Sequence, residues 1–219
     1  MSSGKSSIPV NELVFGIGRR DPTGLKLYGT CFAIGPNLVA TAAHVSTQDD
    51  SNLSIIIPKS QINGYQDTTD RSARQIPVII KTFDPIRDVS VLQISGEFNR
   101  WYDISNTDIL NISDPINLVG FPHAPDGRLV LTHQTTTVGA KIILDSSGIR
   151  TKHIVLNIQS RPGQSGSPVF RQGSQAVCAM LIGSYAPSGG GGISLGGVDP
   201  FTLHQTTHAI SAEYLRSLI

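Results

Sequence analysis

Cysteine is almost absent from this 219-residue chain, which contains only Cys31 and Cys178. Two cysteines are too few for the dense disulfide framework of small secreted domains, and both lie inside apolar, strand-like runs. A catalytic cysteine would need a base and a polar, electropositive setting, which the apolar residues after each cysteine do not offer. We therefore expect two reduced core residues.

Net charge and long hydrophobic runs are lacking as well. Seventeen basic residues against sixteen acidic ones give a formal charge of +1, so no long-range field attracts nucleic acid or an anionic membrane. The N-terminal sequence MSSGKSSIPVNELVF lacks the continuous apolar stretch of a secretory signal, and no later segment could span a bilayer. These absences predict a cytoplasmic protein with neither nucleic acid nor membrane as a partner. Secretion, with residues 1–7 as the remnant of a removed signal, is the alternative.

Metal-binding motifs are also missing. His204 and His208 could share one face of a helix, but no carboxylate lies nearby as a third ligand. Three further histidines form no HExxH or comparable spacing; they are His123, His133 and His153. The sequence predicts no metal and no cofactor.

Short runs rich in Val, Ile, Leu, Thr and aromatic residues recur along the chain, separated by Gly, Pro, Asn or Asp. This pattern is typical of antiparallel strands joined by turns, and it predicts an all-β fold. The runs cover residues 13–18, 26–35, 38–42, 53–57, 76–83, 89–94, 116–121, 128–138, 153–158 and 176–183.

Three other segments depart from the strand pattern. Ile210, Tyr214 and Leu218 recur every four residues and predict a C-terminal packing helix. Residues 98–114 gather Asn, Asp and Ser, which indicates a linker between an N-terminal unit, 1–112, and a C-terminal unit, 113–219. The glycine-rich stretch Ser188–Gly197 is expected to be a mobile loop.

Three segments carry the chemistry: an apolar strand that runs through TAA into His44, the run DVSVLQI that begins with Asp88, and the turn GQSGSP that contains Ser165. Alone, each has an ordinary structural explanation. Together they supply what a serine nucleophile needs at neutral pH: a base, a carboxylate that orients the base, and N–H donors for an oxyanion.

The pattern resembles the trypsin-like serine peptidases, and most closely the bacterial branch of glutamyl endopeptidases and high-temperature-requirement proteases. TAAH at 41–44, DVSVL at 88–92 and GQSGSP at 163–168 match the family's three motifs in order, with 44 and 77 residues between the three side chains. The resemblance implies two six-stranded antiparallel β-barrels with a C-terminal helix. Residues 116–122 would open the second barrel, and a protein or peptide would be the substrate.

By this resemblance, His44 is the base, Asp88 orients it, and Ser165 attacks the carbonyl. The N–H groups of Gly163 and Ser165 would form the oxyanion hole. Asp84 is a rival for the carboxylate, but Pro85 follows it in an apparent turn, whereas Asp88 directly precedes a strand.

The resemblance also assigns substrate-binding roles, to Gln159, Ser160, Gly183 and Ser184. Gln159 is neutral where arginine-specific relatives carry an aspartate, so we expect weak cleavage after Arg or Lys. Small or neutral residues are the expected preference. Glutamate, selected by His204 or His208, is the alternative.

Control of the activity is expected to come from a partner protein. Gln164 replaces the aspartate that pairs with a newly cut N-terminus in digestive relatives, and no IVGG-like segment is present. A partner that orders the glycine-rich loop would raise the competent fraction. Two other functions are alternatives. One is a non-catalytic peptide-binding module with the same fold. The other is an α/β-hydrolase esterase, but Ser167 stands where its GxSxG motif needs the last glycine, and the order His-Asp-Ser also disfavours it.

Overall fold

The computed structural model describes residues 12–58, 63–70, 72–185 and 206–219. Six antiparallel strands close the first barrel in the order β1-β2-β3-β6-β5-β4. A single helical turn, α1 (Ala43–Ser46), follows the third strand. The strands are β1 (Val14–Asp21), β2 (Gly24–Ala33), β3 (Leu38–Ala42), β4 (Leu53–Ile57), β5 (Arg74–Asp84) and β6 (Val89–Ile94).

Six further strands close a second barrel in the order β10-β11-β12-β9-β8-β7. They are β7 (Pro115–Gly120), β8 (Thr132–Ser146), β9 (Ile149–Leu156), β10 (Pro168–Arg171), β11 (Val177–Tyr185) and β12 (Thr206–Ser211), followed by the short helix α2 (Glu213–Arg216). The prediction of two six-stranded antiparallel barrels with a C-terminal helix is confirmed, and β7 opens the second barrel as expected.

The C-terminal helix is shorter than the spacing of its apolar residues indicates. Ile210 lies in β12, where it pairs with Met180 of β11 and His153 of β9. A strand is required at this position because β11 and β9 have no other neighbour to join them and close the barrel. The helix therefore begins only at Glu213, although Ile210 and Leu215 are both buried.

Buried side chains form three clusters: one inside each barrel and one between the barrels. In the third cluster Tyr102, from the segment between the barrels, meets Phe170 of β10 edge-on, with ring centroids 5.1 Å apart. Its hydroxyl accepts the N–H of Leu13 at 3.0 Å, so its polar end is satisfied. A packed aromatic contact of this kind contributes about 1 kcal/mol beyond burial. It helps hold the barrels in one relative position.

The segment between the barrels, 95–114, forms no long strand and contains a 3₁₀ turn at Thr107–Ile109. The division at 112/113 falls in this segment, and two separate folding units stay a prediction. The glycine-rich stretch Ser188–Gly197 lies outside the described residues.

Both cysteines are free and fully buried, and burial disfavours the thiolate form of each. Burial raises the pKa of Cys178 to about 12 and the pKa of Cys31 further still. Both are the reduced core residues that the sequence predicts. In the described part of the chain, no helix is long and apolar enough to cross a membrane.

Candidate active site

A pocket of about 380 Å³ is lined by residues of both barrels. The first barrel contributes His44 and Asp88, and the second contributes Ser165. The other residues of this cleft pocket are Leu144, His153, Ile182, Gly183 and His208. Three side chains that lie far apart in the sequence, and that the motifs select for catalysis, therefore share one cavity.

His44 and Asp88 meet because their strands are neighbours. β3 pairs with β6 so that Ala42 lies opposite Val89. His44 lies two residues beyond this end of β3, and Asp88 directly precedes β6. Asp88 Oδ2 is 2.6 Å from His44 Nδ1, and Asp88 Oδ1 accepts the main-chain N–H of His44 at 2.8 Å. A carboxylate can only accept, so Nδ1 carries the hydrogen and Nε2 keeps its lone pair. His44 is thereby prepared to take a proton at Nε2.

Asp88 has a left-handed backbone, with φ of 56°. This conformation is uncommon for a residue with a side chain and survives only where its surroundings enforce it. Here the Asp88 carbonyl also accepts the N–H of Ala43 at 3.1 Å. The bond from Ala43 fixes the Asp88 backbone, and the two bonds from His44 fix its carboxylate. Together they hold the carboxylate against the imidazole.

The rival carboxylate, Asp84, is occupied elsewhere. Its Oδ1 accepts the N–H groups of Ile86 and Arg87 at 3.1 and 3.0 Å, and its Oδ2 bonds the Arg87 guanidinium at 2.7 Å. These bonds close the turn between β5 and β6. Asp84 is thus part of a turn, as its following proline indicates, and it does not line the cleft pocket.

Ser165 lies in a tight turn, residues 161–167, which we call the serine turn. Gly163 and Gly166 have φ of 92° and 85°. A Cβ on Gly163 would lie 2.4 Å from the carbonyl oxygen of Phe121, and one on Gly166 would lie 2.1 Å from that of Thr30. Both positions therefore require glycine for backbone conformation and for space.

The serine turn leaves two N–H groups without an acceptor. The Pro162 carbonyl accepts the N–H of His123 at 2.6 Å, and the opposite end of that trans peptide, the Gly163 N–H, consequently points away from His123. The Gln164 N–H donates to Arg161. Within the described residues, the N–H groups of Gly163 and Ser165 bond no protein atom. Two unpaired donors in one turn can stabilise an oxyanion if they point at the same spot.

Gln164 is fully buried and fixes the serine turn from inside. Its Oε1 accepts the N–H of Arg161 at 2.8 Å, and its Nε2 donates to Gln134 Oε1 at 2.6 Å. A neutral amide with both ends satisfied has no charge that needs a partner. The structure thus gives Gln164 a local role in the turn.

The Ser165 hydroxyl donates to the carbonyl oxygen of Ile182 at 3.0 Å. Ile182 lies at a shift in register between β11 and β12, where Leu181 and Gly183 have partners in β12 and Ile182 has none. Among the described residues, this is the hydrogen bond that the hydroxyl makes. Attack through His44 therefore requires the hydroxyl to turn from Ile182 towards Nε2.

The residues assigned to substrate binding are only partly brought together. Gly183 lines the cleft pocket, whereas Gln159 and Ser160 do not. The Gln159 side chain accepts a hydrogen bond from Arg161 at 2.9 Å, and the Ser160 N–H donates to Thr207 Oγ1 at 2.9 Å. The side chain of Ser184 and all of His204 lie outside the described residues.

Sequence reasoning gave no role to Leu144, His153 or Ile182, although all three line the pocket. Burial and the nearby His208 lower the pKa of His153 to about 4. Burial also lowers the pKa of His208. Both imidazoles are therefore neutral at pH 7. The strand alternation of residues 153–158 predicts that His153 shares a face with Val155, but it does not reveal which cavity that face meets.

Comparison with known proteins agrees with this geometry. Residues 29–180, more than half of the chain, match the family described as "Trypsin-like peptidase domain". The chain belongs to this family of trypsin-like peptidases, and its class is that of the serine endopeptidases. No curated protein sequence matches the chain.

Solved structures share the fold at low sequence identity. The MamO protease domain from Magnetospirillum magneticum has a TM-score of 0.67 at 14% identity and covers 96% of this chain and 97% of that one. The Rv3671c protease from M. tuberculosis, in its active form, has a TM-score of 0.66 at 16% identity and covers 96% of this chain and 82% of that one. The HtrA-type protease AlgW, solved with a tripeptide, has a TM-score of 0.64 at 16% identity. The match covers 94% of this chain and 58% of that one.

Proposed function

We propose that the chain hydrolyses peptide bonds through an acyl-enzyme on Ser165, with His44 as base and Asp88 as its orienting carboxylate. The observation that carries this proposal is the pair of hydrogen bonds that His44 donates to the Asp88 carboxylate, beside a serine in the same pocket. An imidazole with Nδ1–H fixed by a carboxylate is the arrangement that a serine nucleophile requires.

The proposed reaction begins when a peptide carbonyl approaches Ser165. His44 Nε2 takes the hydroxyl proton as Oγ bonds to the carbonyl carbon, and the N–H groups of Gly163 and Ser165 stabilise the oxyanion. His44 then gives that proton to the leaving amine, which produces the acyl-enzyme. Water, deprotonated in turn by His44, then attacks the acyl carbon. The bond between that carbon and Oγ breaks, His44 returns the proton to Oγ, and the carboxylic product leaves.

The substrate is proposed to be a protein or peptide with a neutral side chain before the cleaved bond. Among the described residues that line the cleft pocket there is no Lys or Arg, and the carboxylate among them, Asp88, is bonded to His44. A buried Arg or Lys of the substrate would find no free negative charge there, which would be costly. Neutral imidazoles offer hydrogen bonds instead. The HtrA-type protease AlgW, which shares this fold, was solved with a tripeptide, and this supports a peptide as the substrate.

We also propose that the isolated chain is held at low activity and is raised by a partner protein. The resting hydrogen bond from Ser165 to Ile182 supports this idea, because the hydroxyl must leave Ile182 before it can attack. The satisfied, uncharged Gln164 argues against activation by a new N-terminal ammonium. Active-site titration with a chromogenic ester tests the proposal: the initial burst should be well below one product per chain, and a full burst would contradict it.

The test of the main proposal compares Ser165→Ala with Ser167→Ala. Both changes remove a hydroxyl from the same turn, but the Ser167 hydroxyl is buried and has no hydrogen-bond partner among the residues that the structure describes, so its loss should cost little. With a mixed peptide library and mass spectrometry, we expect Ser165→Ala to lose at least about 10⁴-fold in rate and Ser167→Ala to stay close to the wild type. Cleavage by Ser165→Ala would reject Ser165 as the nucleophile. Peptide binding without cleavage by the wild type would support the non-catalytic module.

A further inference from the structure

Thr30 of β2 is fully buried and reaches from the first barrel to the serine turn of the second. Its main-chain N–H donates to the carbonyl oxygen of Ser165 at 2.9 Å. Its hydroxyl donates to the carbonyl oxygen of Gly163 at 2.8 Å. One residue thus binds the carbonyls of the two residues whose N–H groups are proposed to stabilise the oxyanion.

The other polar atoms of Thr30 extend the same connection. Its Oγ1 accepts the N–H of Phe121, just beyond β7, at 3.1 Å. Its carbonyl oxygen accepts the hydroxyl of Thr41, three residues before His44, at 2.7 Å. Thr30 therefore links the serine turn, the end of β7 and the strand that leads to the proposed base.

The position of Gly163 depends on this link. Its carbonyl is held by Thr30, and the preceding carbonyl, of Pro162, is held by the N–H of His123. The peptide planes on both sides of Gly163 are consequently fixed, although glycine alone would rotate freely. Fixed planes aim the Gly163 N–H at one spot, which is the condition for an oxyanion donor to lower a barrier.

We propose that Thr30 is a positioning residue for the oxyanion hole and that it acts through its side-chain hydroxyl. This proposal rests on the proposed function, because the oxyanion arises only if Ser165 attacks a carbonyl. A hydroxyl suits the position because one atom must donate to Gly163 and accept from Phe121. Valine has nearly the same shape but would leave both groups buried without a partner, and the turn would then shift or loosen.

The experiment compares Thr30→Val, Thr30→Ser and Thr82→Val with the wild-type chain. Thr82 also donates its hydroxyl to a main-chain carbonyl, that of Leu218 at 3.1 Å, but it does not line the cleft pocket. We expect Thr30→Val to lower kcat by about 10- to 100-fold with KM changed less than about threefold. Thr30→Ser should recover most of the rate, and Thr82→Val should keep it.

Inhibitor binding separates positioning from general destabilisation. A peptide aldehyde, which forms a tetrahedral adduct with the serine, should bind Thr30→Val more weakly by the same factor as the loss in kcat. The corresponding product peptide should bind with unchanged affinity. The positioning role is wrong if Thr30→Val keeps its kcat or if Thr30→Ser loses as much kcat as Thr30→Val. It is also wrong if the aldehyde and the product peptide lose affinity for Thr30→Val by the same factor.

A readout without turnover keeps this proposal separate from the proposed function. In ¹⁵N-labelled chain, the amide signals of Gly163 and Ser165 should shift or broaden in Thr30→Val and return towards their wild-type positions in Thr30→Ser. Unchanged amide signals in Thr30→Val would overturn the role of Thr30 even in an active enzyme. A wild-type chain that neither cleaves peptides nor reacts with a fluorophosphonate would reject the proposed function, while the amide signals still decide on Thr30.

Discussion

Asp88 binds His44 at two points: one carboxylate oxygen is 2.6 Å from the imidazole Nδ1, and the other accepts the main-chain N–H at 2.8 Å. The imidazole cannot turn without breaking the first bond, and the backbone cannot shift without weakening the second. The left-handed conformation of Asp88 makes both contacts possible, since it turns the chain directly before β6. The orientation of the imidazole is therefore determined by the junction of β3 and β6.

The first prediction compares Asp88→Asn with Asp84→Asn. An amide at position 88 can donate to Nδ1 and so favours the wrong tautomer, which should lower kcat by about 10³- to 10⁴-fold at pH 7. Asn at position 84 weakens the turn with Arg87 but leaves the imidazole untouched. It should lower the free energy of unfolding while kcat changes less than about tenfold. Steady-state kinetics and urea unfolding check both variants. An equal loss of kcat in the two would show that Asp88 has no special role.

The second prediction concerns Gly163, with Gly148 as the matched control. Both glycines have positive φ, 92° and 80°, but a Cβ at Gly148 meets nothing within 4 Å, whereas one at Gly163 would meet Phe121 and Ala124. Gly148→Ala should cost about 1 kcal/mol of stability through backbone strain alone. Gly163→Ala should also displace an oxyanion donor and lower kcat by about 10²-fold or more. Comparable kcat values for the two variants would contradict this assignment.

Local patterns in the sequence predict most of the fold. Ten of the twelve strands coincide with an apolar or β-branched run, because each has enough residues to show strand composition. β10 has only four residues and merges with the serine motif. β12 runs into the terminal helix, and the four-residue spacing from Ile210 to Tyr214 hides the change from strand to helix. Barrel closure, which requires β12, is a property of the whole sheet.

The residues of the candidate site also fall into two groups, those with a local sequence signal and those without one. His44, Asp88 and Ser165 are found from short motifs, since the catalytic role proposed for each would constrain its immediate neighbours. Thr30 and His153 have no such local signal. Thr30 acts on a turn 133 residues away, and His153 reaches the cleft pocket only through the pairing of β9 with β12. Contacts of this kind depend on register and on the packing of two barrels.

The third prediction concerns substrate choice. The described residues of the cleft pocket include no free carboxylate, and the imidazoles of His153 and His208 are neutral at pH 7. Cleavage after Arg or Lys should therefore be a minor fraction of all products. Neutral side chains should dominate. A peptide library digested at pH 7.5 and analysed by mass spectrometry measures this profile. Products that end mainly in Arg or Lys would show that a negative charge outside the described residues completes the pocket.

The last prediction follows from the buried imidazole of His153. Its Nε2 lies 3.0 Å from the hydroxyl of Thr151, and within the described residues its Nδ1 has no partner. A second proton on this ring would bring a charge into a buried site beside His208, so the folded state resists protonation and the pKa falls to about 4. In the unfolded chain the ring titrates near its ordinary value of 6.5.

The sign of the pH dependence follows from that difference. Above pH 6.5 neither state binds the proton, and His153 does not affect stability. Between pH 6.5 and 4 the unfolded state binds it and the folded state does not, so stability falls as the pH falls, by about 2 kcal/mol at pH 4.5. His153→Gln should therefore lose less stability between pH 7.5 and 4.5 than the wild type in urea unfolding. His133→Gln, at an exposed position of β8, should behave like the wild type. The same loss in all three proteins would show that His153 is not what makes the fold acid-sensitive.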